Sequence, residues 1–260
     1  LLDRIKKSTL QSGMLFQPND SLSCESMKGT LCENCQVHGI AICASLDETM
    51  LRELDSITSD KKLDTNQELV QEGDIKKYVF TLRSGMLRLV STLFDGRRQI
   101  SGFIMPGEFI GLIAEDYYTQ TIEAVIPSTL CVFPRHELDQ MMELYPQMRE
   151  RLFEMTRKSL SRSRENQLLL GRLTPIEKMA NFLLMSSKRA TESGLIDNPV
   201  NLVMNRSDIA DHLGLTIETV SRCFSKLKTQ GVIRLIDTHT VQLLDRATLQ
   251  HLSGMRDKPA

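Results

Sequence analysis

The sequence predicts an α+β chain: an antiparallel β-roll in the N-terminal half, one long helix, and a C-terminal winged helix-turn-helix. Three observations carry that prediction. Glycines at 73, 85, 96 and 107 recur at intervals of 12, 11 and 11 residues with β-rich runs between them, as in antiparallel sandwiches or barrels. Apolar residues then recur in steps of three and four through residues 138–173, the spacing of one helix face. Finally, residues 205–224 carry two cap residues, a small alanine and a turn glycine in helix-turn-helix order. A length of 260 residues suits two domains, and 41% hydrophobic with 25% charged residues makes wholesale disorder unexpected.

The elements follow in order. Residues 1–48 are a polar lead-in that carries most of the cysteines. Residues 49–140 form the roll, with strands expected at 78–82, 87–90, 100–104 and 129–133 and turns at the glycines. Residues 141–173 form the long helix, its stripe running through Met141, Leu144, Met148, Leu152 and Met155. Such a stripe needs a cover, and a second copy of the same helix is the simplest one. The expected seam is Met148, Leu152, Met155, Leu160 and Ser163, weakened by seven polar residues at 161–167. Residues 174–260 complete the chain as the winged helix-turn-helix.

Charge divides the chain. Residues 1–148 hold 14 Lys and Arg against 21 Asp and Glu, while residues 149–260 hold 18 against 12. An acidic half that senses something and a basic half that meets a polyanion are expected. No run approaches the ~18 apolar residues of a membrane helix. Leu1 to Lys7 shows no apolar stretch after a basic segment, so a cytoplasmic, reduced setting without signal peptide or membrane partner is expected. The missing initiator Met suggests a start inside the native chain. Six cysteines are too sparse for a disulfide scaffold.

The sharpest motif lies in residues 205–224. Asn205 caps a first helix, Asp208 suits its N-terminal turn, and Ala210 permits a close crossing. Gly214 supplies the turn and Thr216 caps a second helix. On that helix Glu218, Ser221 and Arg222 share a face at i, i+3 and i+4. Arginine can bond guanine O6 and N7, glutamate can accept from cytosine, and serine can do either. Double-stranded DNA is the expected partner, read in the major groove. No nucleophile–base signature or nucleotide-cradling loop points to an enzyme.

Cysteines stand at 24, 32, 35, 43, 131 and 223. The set Cys32-x2-Cys35-x7-Cys43 with a distant Cys131 suits an iron–sulfur cluster, whereas structural zinc usually takes two paired knuckles. A zinc site of Cys32, Cys35, His38 and Cys43, or no cofactor, stays open beside it. Gln36 stands where c-type haem attachment needs histidine. Ile40, Ala41 and Ile42 could shield a metal group from solvent. Cys223 reads as a small buried hydrophobe and Cys24 as a spare thiol.

On these residues the chain resembles, from about Cys32 onward, the fumarate-and-nitrate-reduction (FNR) branch of the cyclic-AMP-receptor (CRP) superfamily of bacterial transcription regulators. The resemblance rests on Pro106-Gly107-Glu108-Phe109-Ile110-Gly111, on Glu218-x2-Ser221-Arg222, and on the cysteine set. It implies that the roll is cyclic-nucleotide-binding-like. It implies a 4Fe–4S cluster on Cys32, Cys35, Cys43 and Cys131 that oxygen degrades, with loss of dimerisation and DNA binding. It also implies a homodimer, a TTGAT-N4-ATCAA-like operator and RNA polymerase as partner. Two departures are visible. Cyclic-AMP binders place an Arg and a small hydroxyl residue in the stretch that is here residues 118–123, which holds no Arg; no cyclic nucleotide is expected. Some members carry an aspartate on the seam where this chain has Ser163.

Overall fold

The computed structural model describes residues 35–111 and 115–254. The predicted fold class is the one observed: an antiparallel β domain, a long helix and a helix-turn-helix domain. The roll consists of β1 (Ser59–Leu63), β2 (Glu68–Val70), β3 (Tyr78–Thr92), β4 (Arg98–Ile104), β5 (Phe109–Ile110) and β6 (Thr121–Pro134). All described pairings are antiparallel, in the order β1-β6-β3-β4, with β2 added to β6 and β5 to β3.

Alternation along β3 and β6 sorts their side chains between two destinations. Leu82, Leu87, Ile122, Ala124 and Leu130 fill the roll interior. Val79, Cys131 and Phe133 face the opposite way, onto the segment that precedes the roll. Farther along the same strands Met86, Val90 and Val125 pack against the C-terminal domain.

One strand prediction is corrected. Residues 78–82 and 87–90 belong to one 15-residue strand, not two strands joined at Gly85. Gly85 has φ +95°, and a Cβ there would lie 2.2 Å from Ser128 Oγ. The register shifts on both sides of Ser84. The glycine therefore serves a bulge inside a ladder, where an unpaired residue bends the strand without reversing it. Gly96, by contrast, sits at the β3–β4 reversal, where Leu93 N donates to the Arg97 carbonyl at 2.9 Å.

Helices α1 (Glu48–Ile57) and α2 (Arg135–Leu144) flank the roll, and α3 (Pro146–Arg172) leaves it. Pro146 stands at the first turn of α3, where its missing N–H costs nothing. The single stripe expected from Met141 onward is thus split: Met141 is buried on α2, and Leu144 at the end of α2 is exposed. A capping box of Thr174 and Glu177 opens α4 (Pro175–Glu192). Then come β7 (Val200–Asn201), α5 (Arg206–Leu213), α6 (Ile217–Thr229), β8 (Ile233–Leu235), β9 (Thr240–Leu243) and α7 (Arg246–Leu252). The wing is a three-stranded sheet in the order β7-β9-β8. No helix among the described residues is long and apolar enough to cross a membrane.

Candidate nucleic-acid interface and cysteine pocket

The helix-turn-helix is built from local chemistry. Asn205 Oδ1 accepts from Asp208 N at 2.8 Å and starts α5. Gly214 ends α5 at φ +62°, a left-handed conformation that glycine adopts without a Cβ clash. Thr216 Oγ1 accepts from Thr219 N at 3.2 Å and starts α6. Val220, Cys223, Phe224 and Leu227 then form the buried face of α6. Glu218, Ser221 and Arg222 lie exposed on the other face, where a duplex could reach them. The Glu218 carboxyl is held below the usual range by its own backbone N–H, by Thr216 and by the nearby Arg222 charge. It is therefore ionised at neutral pH. Burial pushes the Cys223 thiol up, which keeps it a neutral core side chain.

The first helix of the motif has a second role that sequence reasoning missed. Asp208, 1% exposed, accepts from Arg98 Nη2 at 2.9 Å and from Arg88 Nη1 at 3.2 Å. Asp211 takes Arg98 Nε at 3.0 Å, and Glu123 takes Arg88 Nε at 2.7 Å. His212 Nδ1 meets the Ile100 carbonyl at 3.0 Å. Burial holds the His212 pKa below the ordinary histidine range, so the ring is neutral and its Nδ1–H donates. Thus α5 is tied to β3, β4 and β6 of the roll. The partners of α5 on β3 and β4 stand more than a hundred residues away in the chain, and no local pattern announces them.

A second joint uses the Pro106-Gly107-Glu108 turn. Glu108 pairs with Arg162 of α3 and with Arg189 of α4, the latter at 2.8 Å. Arg189 also donates to the Phe103 carbonyl at 2.6 Å, and Arg162 reaches Glu192 at 2.8 Å. Burial alone would raise the Glu108 carboxyl, but Arg189 and Arg162 hold it below the usual carboxylate range. One carboxylate therefore links roll, long helix and DNA-binding domain.

Of the cysteine set, Cys32 lies outside the described residues, as does Cys24. Cys35, Cys43 and Cys131 share one apolar cluster with Val37, Ile42, Phe109, Phe133 and Met148. Cys131 stands on β6 between Asp60 of β1 and Thr81 of β3. The segment from Cys35 onward is wound into turns that end in a 3-10 helix, Ile42–Ser45. Ile42 is buried among the cluster residues, while half-buried Ile40 lies over the Gly107 turn. Arg151 of α3 donates to the Ile40 carbonyl at 2.6 Å and to the Ala41 carbonyl at 3.3 Å. The cysteine-bearing segment is thus fastened directly to the long helix. Among the described residues no three His, Cys, Asp or Glu side chains converge as a metal site. What the described residues offer is three cysteines, a residue type that can ligate zinc or an iron–sulfur cluster, within one apolar cluster. Among the described residues, His38 Nε2 and Thr81 Oγ1 are buried without a hydrogen-bond partner. Burial also lowers the His38 pKa, favouring neutral imidazole.

Packing within the chain divides the residues of the expected seam. Met148 is 0% exposed inside its own chain's cluster, and Leu152 and Met155 pack half-buried against that cluster. Leu160 and Ser163 are exposed. The open apolar residues of α3 are Phe153 (61% exposed), Leu160 (53%), Leu168 (57%) and Leu170 (39%). At 100° per residue, Phe153 lies about 140° around the helix from Met148. The helix therefore has two apolar faces, one already used.

An antiparallel roll, a long helix and a helix-turn-helix whose second helix lies exposed define a DNA-binding protein. Comparison places it. Residues 60–145 match the cyclic nucleotide-binding domain and residues 177–252 the Crp-like helix-turn-helix domain. The chain is 36% identical over 226 residues to the nitrogen fixation regulation protein FixK of Bradyrhizobium diazoefficiens, covering 87% of this chain and 95% of that one. It is 34% identical to the transcriptional activator protein FnrL of Cereibacter sphaeroides, covering 86% and 92%. The structure of FixK2 from Bradyrhizobium japonicum superposes with a TM-score of 0.72 at 32% identity, covering 77% of this chain and all of that one. The chain belongs to the CRP/FNR family of transcription regulators. It is a DNA-binding regulator of the FNR/FixK type and not an enzyme.

Proposed function

We propose that this regulator responds to oxygen through a 4Fe–4S cluster held by Cys32, Cys35, Cys43 and Cys131, and binds a TTGAT-N4-ATCAA-like palindrome as a homodimer that engages RNA polymerase. When bound, such a cluster supplies an oxygen-labile crosslink between its four thiolates. The observation that carries the reading is the shared packing of Cys35, Cys43 and Cys131 with Met148, together with the Arg151 hydrogen bonds to Ile40 and Ala41. Whatever orders residues 35–45 also orders the first turns of α3. Phe153, Leu160, Ser163 and Leu168 then meet their counterparts on a second chain, and the two α6 helices are set for two half-sites. Ile40 and Ile42 keep water from the sulfurs. Arg222, with Ser221 and Glu218, reads base edges.

Cyclic nucleotide does not suit this chain. The cavity of about 560 Å³ between the roll and α3 is lined by Tyr118, Thr119 and Gln120, and its Arg162 and Arg189 are committed to Glu108. Residues 118–120 thus bring no arginine to the cavity, where cyclic-AMP binders supply one for the phosphate.

Zinc on Cys32, Cys35, His38 and Cys43 is the second reading, favoured by the buried, partnerless Nε2 of His38. One spectrum separates the two, because zinc is colourless. Anaerobically purified chain is expected to absorb broadly in the visible range and to contain iron and sulfide. Cys131→Ser should abolish that colour and Cys24→Ser should leave it. Colourless protein containing zinc, unaltered by Cys131→Ser, would establish the second reading instead.

A further inference from the structure

We infer that Thr81 is a positioning residue for the cysteine pocket, its hydroxyl donating to the Cys131 thiolate when the thiolate carries metal. The inference rests on the cluster reading above. Thr81 is 3% exposed, yet Oγ1 has no hydrogen-bond partner among the described residues. Its neighbours explain why this matters. In the sheet it stands directly opposite Cys131 of β6 on one side and Phe109 of β5 on the other. Val79, two residues earlier on the same face, stands opposite Phe133. Cys131, Phe109, Val79 and Phe133 all belong to the apolar cluster.

A lone hydroxyl in that rank is costly, since a buried donor left unpaired forfeits its solvation. Valine has the same shape and no such cost, and Val79 shows that the face accepts it. Opposed residues in an antiparallel pair have Cβ atoms ~4.5–5.5 Å apart. A rotation about χ1 can thus bring a hydroxyl and a sulfur in that pair within hydrogen-bond reach. A neutral thiol is a weak acceptor, whereas a metal-bound thiolate is a charged one. The hydroxyl therefore has a partner worth its burial only in the loaded protein.

The test uses the full chain, wild type, Thr81→Val and Thr81→Ser, each metal-free and each reconstituted anaerobically with ferrous iron and sulfide. Metal-free Thr81→Val should melt about 2–4 °C above wild type, because an unpaired buried hydroxyl has gone. At equal iron content, the reconstituted Thr81→Val should bleach in air roughly threefold to tenfold faster, as loss of one hydrogen bond of ordinary strength implies. Thr81→Ser should restore the wild-type bleaching rate. A lower metal-free melting temperature for Thr81→Val, or equal bleaching of Val and wild type, would overturn the inference while leaving the cluster reading intact. Wild type that takes up no iron and sulfide would overturn both.

Discussion

Single side chains in this molecule act through their partners more than through their type. Arg222 is exposed on α6 beside Ser221 and Glu218, so Arg222→Ala should cost about 1–3 kcal/mol of discrimination at one base pair of each half-site. Binding to an operator panel checks this; unchanged preference at every position would remove Arg222 from base reading. His212 makes a pH-dependent contribution of definite sign. Its folded pKa is lowered by burial, so the unfolded chain binds the proton more readily. The stabilisation is complete above about pH 6.5 and falls away as pH drops through the folded value. Urea unfolding across pH 7.5 to 5 should show His212→Gln losing less stability than wild type on acidification. Parallel curves would show that the ring titrates normally. Asn205, Gly214, Thr216 and the exposed triad were legible because capping and turn chemistry act over three or four residues. Asp208 was legible only in part: its place in the first turn of α5 could be read, its pairing with Arg88 and Arg98 could not.

Among the elements, α3 shows what periodicity can and cannot say. A repeat of three and four reveals that a helix has an apolar face, but not what covers it. Here the stripe at Met148, Leu152 and Met155 is covered by the chain's own cysteine-bearing segment. The face left open passes through Phe153, Leu160 and Leu168. The two faces should respond differently to substitution. Leu160→Asp is expected to shift sedimentation of the DNA-bound, anaerobic protein from dimer toward monomer with little change in chain stability. Met148→Ala should instead destabilise the fold by about 2–5 kcal/mol through the cavity left behind. Reversed effects would return the seam to Met148. β3 teaches a related lesson. A glycine between two β-rich runs reads as a turn, and only the pairing of β3 with β6 on both sides of it shows that Gly85 sits within a continuous strand. The two-residue strand β7 is too short to leave any periodic signal.

At the scale of the whole molecule, the division into roll, long helix and winged domain was readable from turn spacing, periodicity and the shift in charge. The two joints between the domains were not. Glu108 with Arg162 and Arg189, and Asp208 with Arg88 and Arg98, link residues that only the tertiary fold brings together. Removing one partner of a buried pair leaves the other charged and unsolvated. Asp208→Ala should therefore cost roughly 3–5 kcal/mol in unfolding free energy, measurable by denaturant titration. A loss below ~1 kcal/mol would class the pair with exposed ones. Through these joints and Arg151, the cysteine pocket, the seam helix and the recognition helix belong to one connected body.

The central claim is that the state of the cysteine pocket decides whether α6 can engage DNA. It is tested most directly by anaerobic titration of a labelled TTGAT-N4-ATCAA duplex with iron- and sulfide-reconstituted wild type, the same protein after exposure to air, and Cys131→Ser. The account predicts tight binding by the first and at least about tenfold weaker binding by the other two, a coupling of ~1.4 kcal/mol or more. Equal affinity in all three would contradict it.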